Sequence, residues 1–413
     1  MTAGVEALFA ERARWLKASD VRELLKYTQD PSIISFAGGL PSPDAFPRDE
    51  LRVIFEELLQ EDRLPALQYG PTPGDPALRR ELTSLMARRG IDASADRTVV
   101  THGAQQALEF LGRVLLDPGD IVIATRPTYL GLFTALATYR PTYHDVPLDE
   151  DGILTDVLED DLRALALDGI RPKFIYVVPT FHNPTGTSIS ARRRRRLADL
   201  AATYEVPVIE DDPYHDLRFE GDPVAPIASM DREGWIVYLG SFSKTLAPGF
   251  RIGWAHGPPA LIQKMALAKQ GADLFTNGFG QRVAERYLAL GMLDRHLPRI
   301  RALYRRKRDV MLARMQETFP DRVTWTRPEG GMFLWVTIPS ELDTRSILPA
   351  AAAQRVVYVP GHGFFAGTPE PNHMRLNYSF PSEPDIEKGI GILGALLDRA
   401  IRSSLPGPPL IGA

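Results

Sequence analysis

From about residue 50 onward, apolar and polar positions switch between two spacings. Helical spacing over 75–89, 104–116, 128–138, 155–166 and 190–204 is interleaved with short apolar runs over 97–101, 120–124, 142–146, 174–178, 206–210, 235–239 and 252–255. The runs are nearly unbroken, as in strands covered on both faces by helices. They predict an α/β layer with a mostly parallel sheet, of about seven strands, with ligands bound beyond the strands' carboxyl ends.

After residue 257 the pattern changes. Helical stretches over 258–272 and 293–317, strands near 323–326, 332–338, 356–359 and 374–377, and a last helix over 384–403 predict a smaller α+β unit. The first 45 or so residues are too few to fold alone and are expected to pack on that unit. The expected division is an N-terminal segment 1–48, a large α/β domain 49–285 and a small C-terminal α+β domain 286–413. Five consecutive arginines, 192–196, fall in a helical pattern and read as a solvated helix face.

Composition removes several kinds of chemistry. The 413 residues contain no cysteine, which excludes disulfides, Cys-ligated zinc and thiol catalysis. A net charge of −4 gives no reason to expect nucleic acid or an anionic membrane as partner. No window approaches the roughly 18 apolar residues of a membrane span, and the first 20 residues scatter charge where a secretory signal needs an apolar stretch. A cytoplasmic protein is expected. Of 48 basic residues only eight are lysines, which narrows the search for a nucleophilic amine because arginine does not give up its proton.

One of the eight stands apart. Lys244 follows the apolar run 235–239 within Ser241-Phe242-Ser243-Lys244, and Arg251 comes seven residues later. A lysine amine there can form an imine with an aldehyde, while the serine hydroxyls and the guanidinium hold a phosphate. A solvent-exposed loop would use the same residues. Asp211, in Glu210-Asp211-Asp212-Pro213-Tyr214, also ends an apolar run and suits a metal, a ribose hydroxyl or a protonated ring nitrogen. Asn183-Pro184-Thr185-Gly186 is turn chemistry that also offers an amide. Gly103-Ala104-Gln105 lies between a run and a helix, where free N–H groups can cradle phosphate. Tyr129 could stack on a planar ring or simply fill core. Arg375 projects from the run 374–377; it would pair either with a ligand carboxylate or with an internal Asp or Glu.

In this order the segments resemble the class I, fold type I, aminotransferases that use pyridoxal 5′-phosphate (PLP), and the resemblance covers nearly the whole chain. It implies that Lys244 carries PLP as a Schiff base and later moves the substrate proton, and that Asp211 pairs with the ring nitrogen. Tyr214 and Asn183 would bind the phenolic oxygen, Tyr129 would stack, and Gly103, Ala104, Gln105, Ser241, Ser243 and Arg251 would hold phosphate. Arg375, with Asn183, would grip an α-carboxylate. Ser19-Asp20-Val21-Arg22-Glu23-Leu24-Leu25 and the stretch holding Gly38-Gly39 resemble the 2-aminoadipate and kynurenine branch. There a mobile segment implies that Ser19, Arg22 and Gly39 meet substrate, with Arg22 on a distal carboxylate. Gln68-Tyr69-Gly70 implies a homodimer with shared sites, Tyr69 and Thr276 being lent across the interface. His182 departs from the glutamine common in that branch. The implied reaction is ping-pong transfer between amino acids and 2-oxo acids, with 2-oxoglutarate as acceptor and 2-aminoadipate, aromatic or branched-chain donors. A decarboxylase or β-lyase of the same fold, and an aminotransferase-like regulatory domain, are the alternatives.

Overall fold

The structure, a computed structural model, describes residues 4–16, 30–61 and 65–404. Its centre is an eight-stranded sheet in the order Thr98–Thr101, Gly253–His256, Ile236–Ser241, Val208–Asp211, Phe174–Val177, Ile121–Arg126, Thr142–Asp149, Gly152–Ile153. The run from Ile236–Ser241 to Thr142–Asp149 is parallel throughout. Gly253–His256 is antiparallel to both of its neighbours, and the short Gly152–Ile153 closes the other edge antiparallel. The expected mostly parallel sheet is present, with one reversed strand inside it. Strands Phe174–Val177 and Val208–Asp211 are buried at every position, the consequence of helices on both faces.

The helices follow their local chemistry. Asp75 caps Pro76–Arg88 by accepting from Ala77 N and Leu78 N, at 2.7 and 3.1 Å, and Leu78, Leu82, Leu85 and Met86 form the buried stripe. Three helices escaped the periodic reading: Arg48–Gln60, Gly278–Ala289 and Thr344–Ala353. The second opens on glycines and the third holds Pro349, so neither announces itself by propensity. Asn277 starts the second by accepting from Gly280 N at 3.1 Å.

The C-terminal part carries a four-stranded antiparallel sheet in the order Thr324–Trp325, Phe333–Thr337, His373–Asn377, Val359–Pro360. Ile34–Ser35 pairs in parallel with Val356–Val357, which ties the early chain to this part. Beside it, a Cβ on Gly389 would lie 2.7 Å from the Phe36 ring, so the last helix can approach that segment only through glycine. Among the described residues no helix is long and apolar enough to cross a membrane.

The arginine run corrects its reading as a solvated face. Arg192 and Arg195 are exposed, but Arg193 and Arg194 are buried. Arg193 pairs with Asp149 and donates to Gly152 O at 2.8 Å. Arg194 donates to the carbonyls of Ile189, Pro179 and Ala225 and to the Thr180 hydroxyl. One guanidinium thus satisfies a loop whose backbone has no ladder to join. Arg194→Met should cost about 3 kcal/mol in denaturant unfolding, because buried acceptors and the nearby Glu210 and Asp212 lose their cation. An unchanged midpoint would show the loop to be held by other means.

Candidate active site

One edge of the large sheet gathers the candidates. Lys244, Asp211, Asn183, Tyr129 and Gly103 each follow or close the carboxyl end of a strand. Arg251 reaches the same edge by a different route, since it precedes the reversed strand Gly253–His256. Gly253 lies opposite Thr101 on one side and Ser241 on the other. The register therefore brings the two serines, the arginine and the start of helix Ala104–Leu115 together.

These groups form an anion cradle. Ser241 Oγ donates to Ser243 Oγ at 2.9 Å, and Arg251 reaches Ser243 Oγ at 3.5 Å and His102 O at 3.2 Å. Gly103 has φ +74°, and a Cβ there would stand 2.6 Å from Arg251 Nη2. It caps the helix without a side-chain bond, leaving first-turn N–H groups for a ligand. Gln105 spends its side chain on Gly131 O at 2.7 Å and on the Tyr129 hydroxyl at 3.2 Å, so the backbone N–H is what it can offer an anion. The cradle fits a phosphate.

Asp211 is buried, and its Oδ2 accepts from the Tyr176 hydroxyl at 2.7 Å. Oδ1 has no partner. Burial pushes the carboxyl up to about 7; Tyr176 opposes this and Asp212 adds to it. A protonated ring nitrogen would fit as the cation that this oxygen lacks. Buried Tyr214 has its phenol pushed above the usual range, chiefly by burial, so it remains a donor. Asn183 accepts from Arg375 Nη1 at 2.9 Å, which orients its amide.

The two cations meet one stretch of chain. Lys244 Nζ donates to Gly39 O at 2.8 Å, and Arg375 Nη2 donates to Ala37 O at 2.6 Å. Arg375 is 2% exposed and no carboxylate pairs with it among the described residues. Instead the Phe333 and Phe364 rings lie 4.4 and 5.3 Å from its guanidinium, and Nε has no partner. An internal Asp or Glu, the competing reading of this arginine, is not what it meets.

Other expectations fare unevenly. Tyr69 is 78% exposed, its ring edge-on to Phe275 at 5.5 Å. Thr276, by contrast, is buried within the chain and its side chain donates to Val100 O at 3.0 Å. Ser19 and Arg22 lie outside the described residues. His182 is buried between Thr125 and Thr185, and burial pulls its imidazole down to about 3. Tyr176, Phe333 and Phe364 went unnoticed in the sequence, where an aromatic residue in or beside an apolar run reads as core.

Burial first, and then Arg375 and Arg251, pull the Lys244 amine down from 10.5 to about 8. Only the neutral amine attacks an aldehyde, so a depressed value makes it reactive at lower pH. In cofactor-free protein, reductive methylation of Lys244 followed by peptide mass spectrometry should rise with pH and level off above about 8. A rate still climbing near pH 10 would mean an unperturbed lysine.

Residues 42–393 match the family described as aminotransferase class I and II. Aromatic-amino-acid aminotransferase 1 of Thermococcus litoralis is 45% identical over 94% of both chains. The solved multiple substrate aminotransferase of Thermococcus profundus superposes with a TM-score of 0.93 at 43% identity, over 97% of this chain and 100% of that one. The α-aminoadipate aminotransferase of Thermus thermophilus, solved with N-(5′-phosphopyridoxyl)-L-leucine, gives 0.89 at 35% identity, over 97% and 100%. The family match over most of the chain, with relatives this similar along their whole length, makes it a PLP-dependent aminotransferase of class I and II, and the groups gathered on this sheet edge fit that cofactor.

Proposed function

We propose that the chain is an L-amino acid:2-oxo acid aminotransferase of broad donor range, working by ping-pong exchange with 2-oxoglutarate as acceptor. The observation that carries this reading is Arg375, a buried guanidinium without a counter-carboxylate, bonded to the same three-residue stretch as Lys244. A free α-carboxylate held there places the α-carbon before the amine. With the carboxylate gripped, the bond left to break is Cα–H, which favours transamination over decarboxylation.

PLP, when bound, supplies the aldehyde that takes up the amino group and a ring that draws electrons from Cα. The roles assigned to the chain are these. Lys244 anchors the cofactor and then carries the proton from Cα, Asp211 holds the ring nitrogen protonated, and Tyr214 and Asn183 donate to the phenolic oxygen. Tyr129 stacks on the ring. Gly103, Ala104 and Gln105 with Ser241, Ser243 and Arg251 hold the phosphate, and Gly39 lets backbone approach substrate. Residues 49–285 would form the cofactor-holding domain, with 1–48 packed on 286–413. Tyr69, exposed on its own protomer, would act in the site of a second copy, making the enzyme a homodimer with shared sites.

Relatives support the breadth of donors. One is named for aromatic amino acids, another for multiple substrates, and an α-aminoadipate enzyme was solved with a leucine adduct. The last is named for an acidic donor and was solved holding an adduct of an aliphatic one. Steady-state rates with 2-aminoadipate, phenylalanine and leucine, each varied at several 2-oxoglutarate concentrations, test this. All three should turn over with parallel double-reciprocal lines. Intersecting lines, or a single accepted donor, would refute the proposal.

A further inference from the structure

Strand Phe174–Val177 is apolar but for one hydroxyl, that of Tyr176, which is fully buried. In the parallel register Tyr176 lies opposite Ile209, so its ring runs diagonally along the neighbouring strand toward the residue two places on. That residue is Asp211, the last of its strand, and the hydroxyl meets Oδ2 at 2.7 Å. The contact uses one carboxylate oxygen and leaves the other unpaired. Among the described residues no cation adjoins the carboxylate. Burial and Asp212 push it toward the neutral acid, and Tyr176 is the neighbour that opposes them.

We propose that Tyr176 is a positioning residue for the cofactor ring: by occupying Oδ2 it turns Oδ1 toward the ring nitrogen and keeps the shared proton on the ring. The inference rests on the pairing of Asp211 with that nitrogen. A carboxylate whose two oxygens were both bare would take the proton itself, because a buried ion without hydrogen bonds is the costlier form. The ring would then be neutral and draw electrons from Cα poorly. Removing the hydroxyl alone leaves the aromatic packing in place and leaves Arg375, the substrate carboxylate's partner, untouched. The effect should therefore fall on kcat and spare KM.

The test uses holoenzyme loaded with PLP carrying 15N at the ring nitrogen, in the wild type, Tyr176→Phe, Asp211→Asn and the double variant. Tyr176→Phe should move the 15N resonance toward the neutral-ring value and lower kcat about tenfold, the weight of a hydrogen bond to a charged group, with KM within about twofold. In the Asp211→Asn background the same change should add nothing further. If Asp211→Asn moves the resonance and Tyr176→Phe does not, Tyr176 is packing only and the proposal is overturned. If Asp211→Asn leaves the resonance in place, its pairing with the ring is wrong and Tyr176 loses this role with it. Should Tyr176→Phe fail to hold cofactor, 3-fluorotyrosine incorporated at position 176 alone gives a stronger donor of nearly the same shape. It should shift the resonance further toward the protonated ring, and an unmoved resonance would again overturn the proposal.

Discussion

A charge taken out of water must be paid for by a partner, and at this sheet edge the partners within the chain are incomplete. Arg375 is buried among two aromatic rings, an amide oxygen and a backbone carbonyl, with no carboxylate among the described residues. Asp211 has one oxygen bonded and one bare. Lys244 is held by a single carbonyl and its amine is depressed. Elsewhere some buried ions are paired, as Arg89 is with Asp216 and Lys269 with Asp273, while Arg194 and Lys307 are held by carbonyl and hydroxyl oxygens. At this edge three such groups stand together, and a phosphorylated pyridine aldehyde and an amino acid would complete all three.

The sheet makes this deficit possible. Parallel strands deliver their carboxyl ends to one edge, so residues far apart in sequence arrive side by side. The reversed strand adds its amino end to that edge, and with it Arg251 in a left-handed conformation at φ +56°. Gly103 and Gly253 allow the contact: a Cβ on Gly253 would stand 2.8 Å from Ala104 N. Packing on this side is set by what has to stand close to a ligand.

Much of this was legible in the sequence because strand ends and chemistry-bearing residues coincide. Lys244 follows an apolar run, and so do Asp211 and Asn183; all three stand on the same edge. What escaped depends on contacts that no spacing encodes. The inward halves of the arginine run, Arg193 and Arg194, bond a loop remote in sequence, and a run of like charges gives no sign of which members turn in. Tyr176 reads as core because its ring is core; only its hydroxyl acts at the site. Thr276 carries a resemblance to a residue shared across an interface, yet its hydroxyl is committed to Val100 O at 3.0 Å. The helix from Gly278 is built on glycines and an asparagine cap, signals that also spell a loop.

Arg375 has no carboxylate partner among the described residues, which leaves its charge for the carboxylate of a substrate. The measurement that tests this most directly is kcat/KM for phenylalanine in Arg375→Met, taken beside the unfolding midpoint of the same variant. If the guanidinium serves the substrate carboxylate, kcat/KM should fall by about 100-fold or more, as two charge-assisted hydrogen bonds are lost. The midpoint should fall by only a few degrees: Ala37 O and Asn183 Oδ1 lose a donor, but a buried charge without a counter-ion is removed with it. A kcat/KM within about threefold of wild type, with a midpoint many degrees lower, would make Arg375 a structural residue and contradict the account.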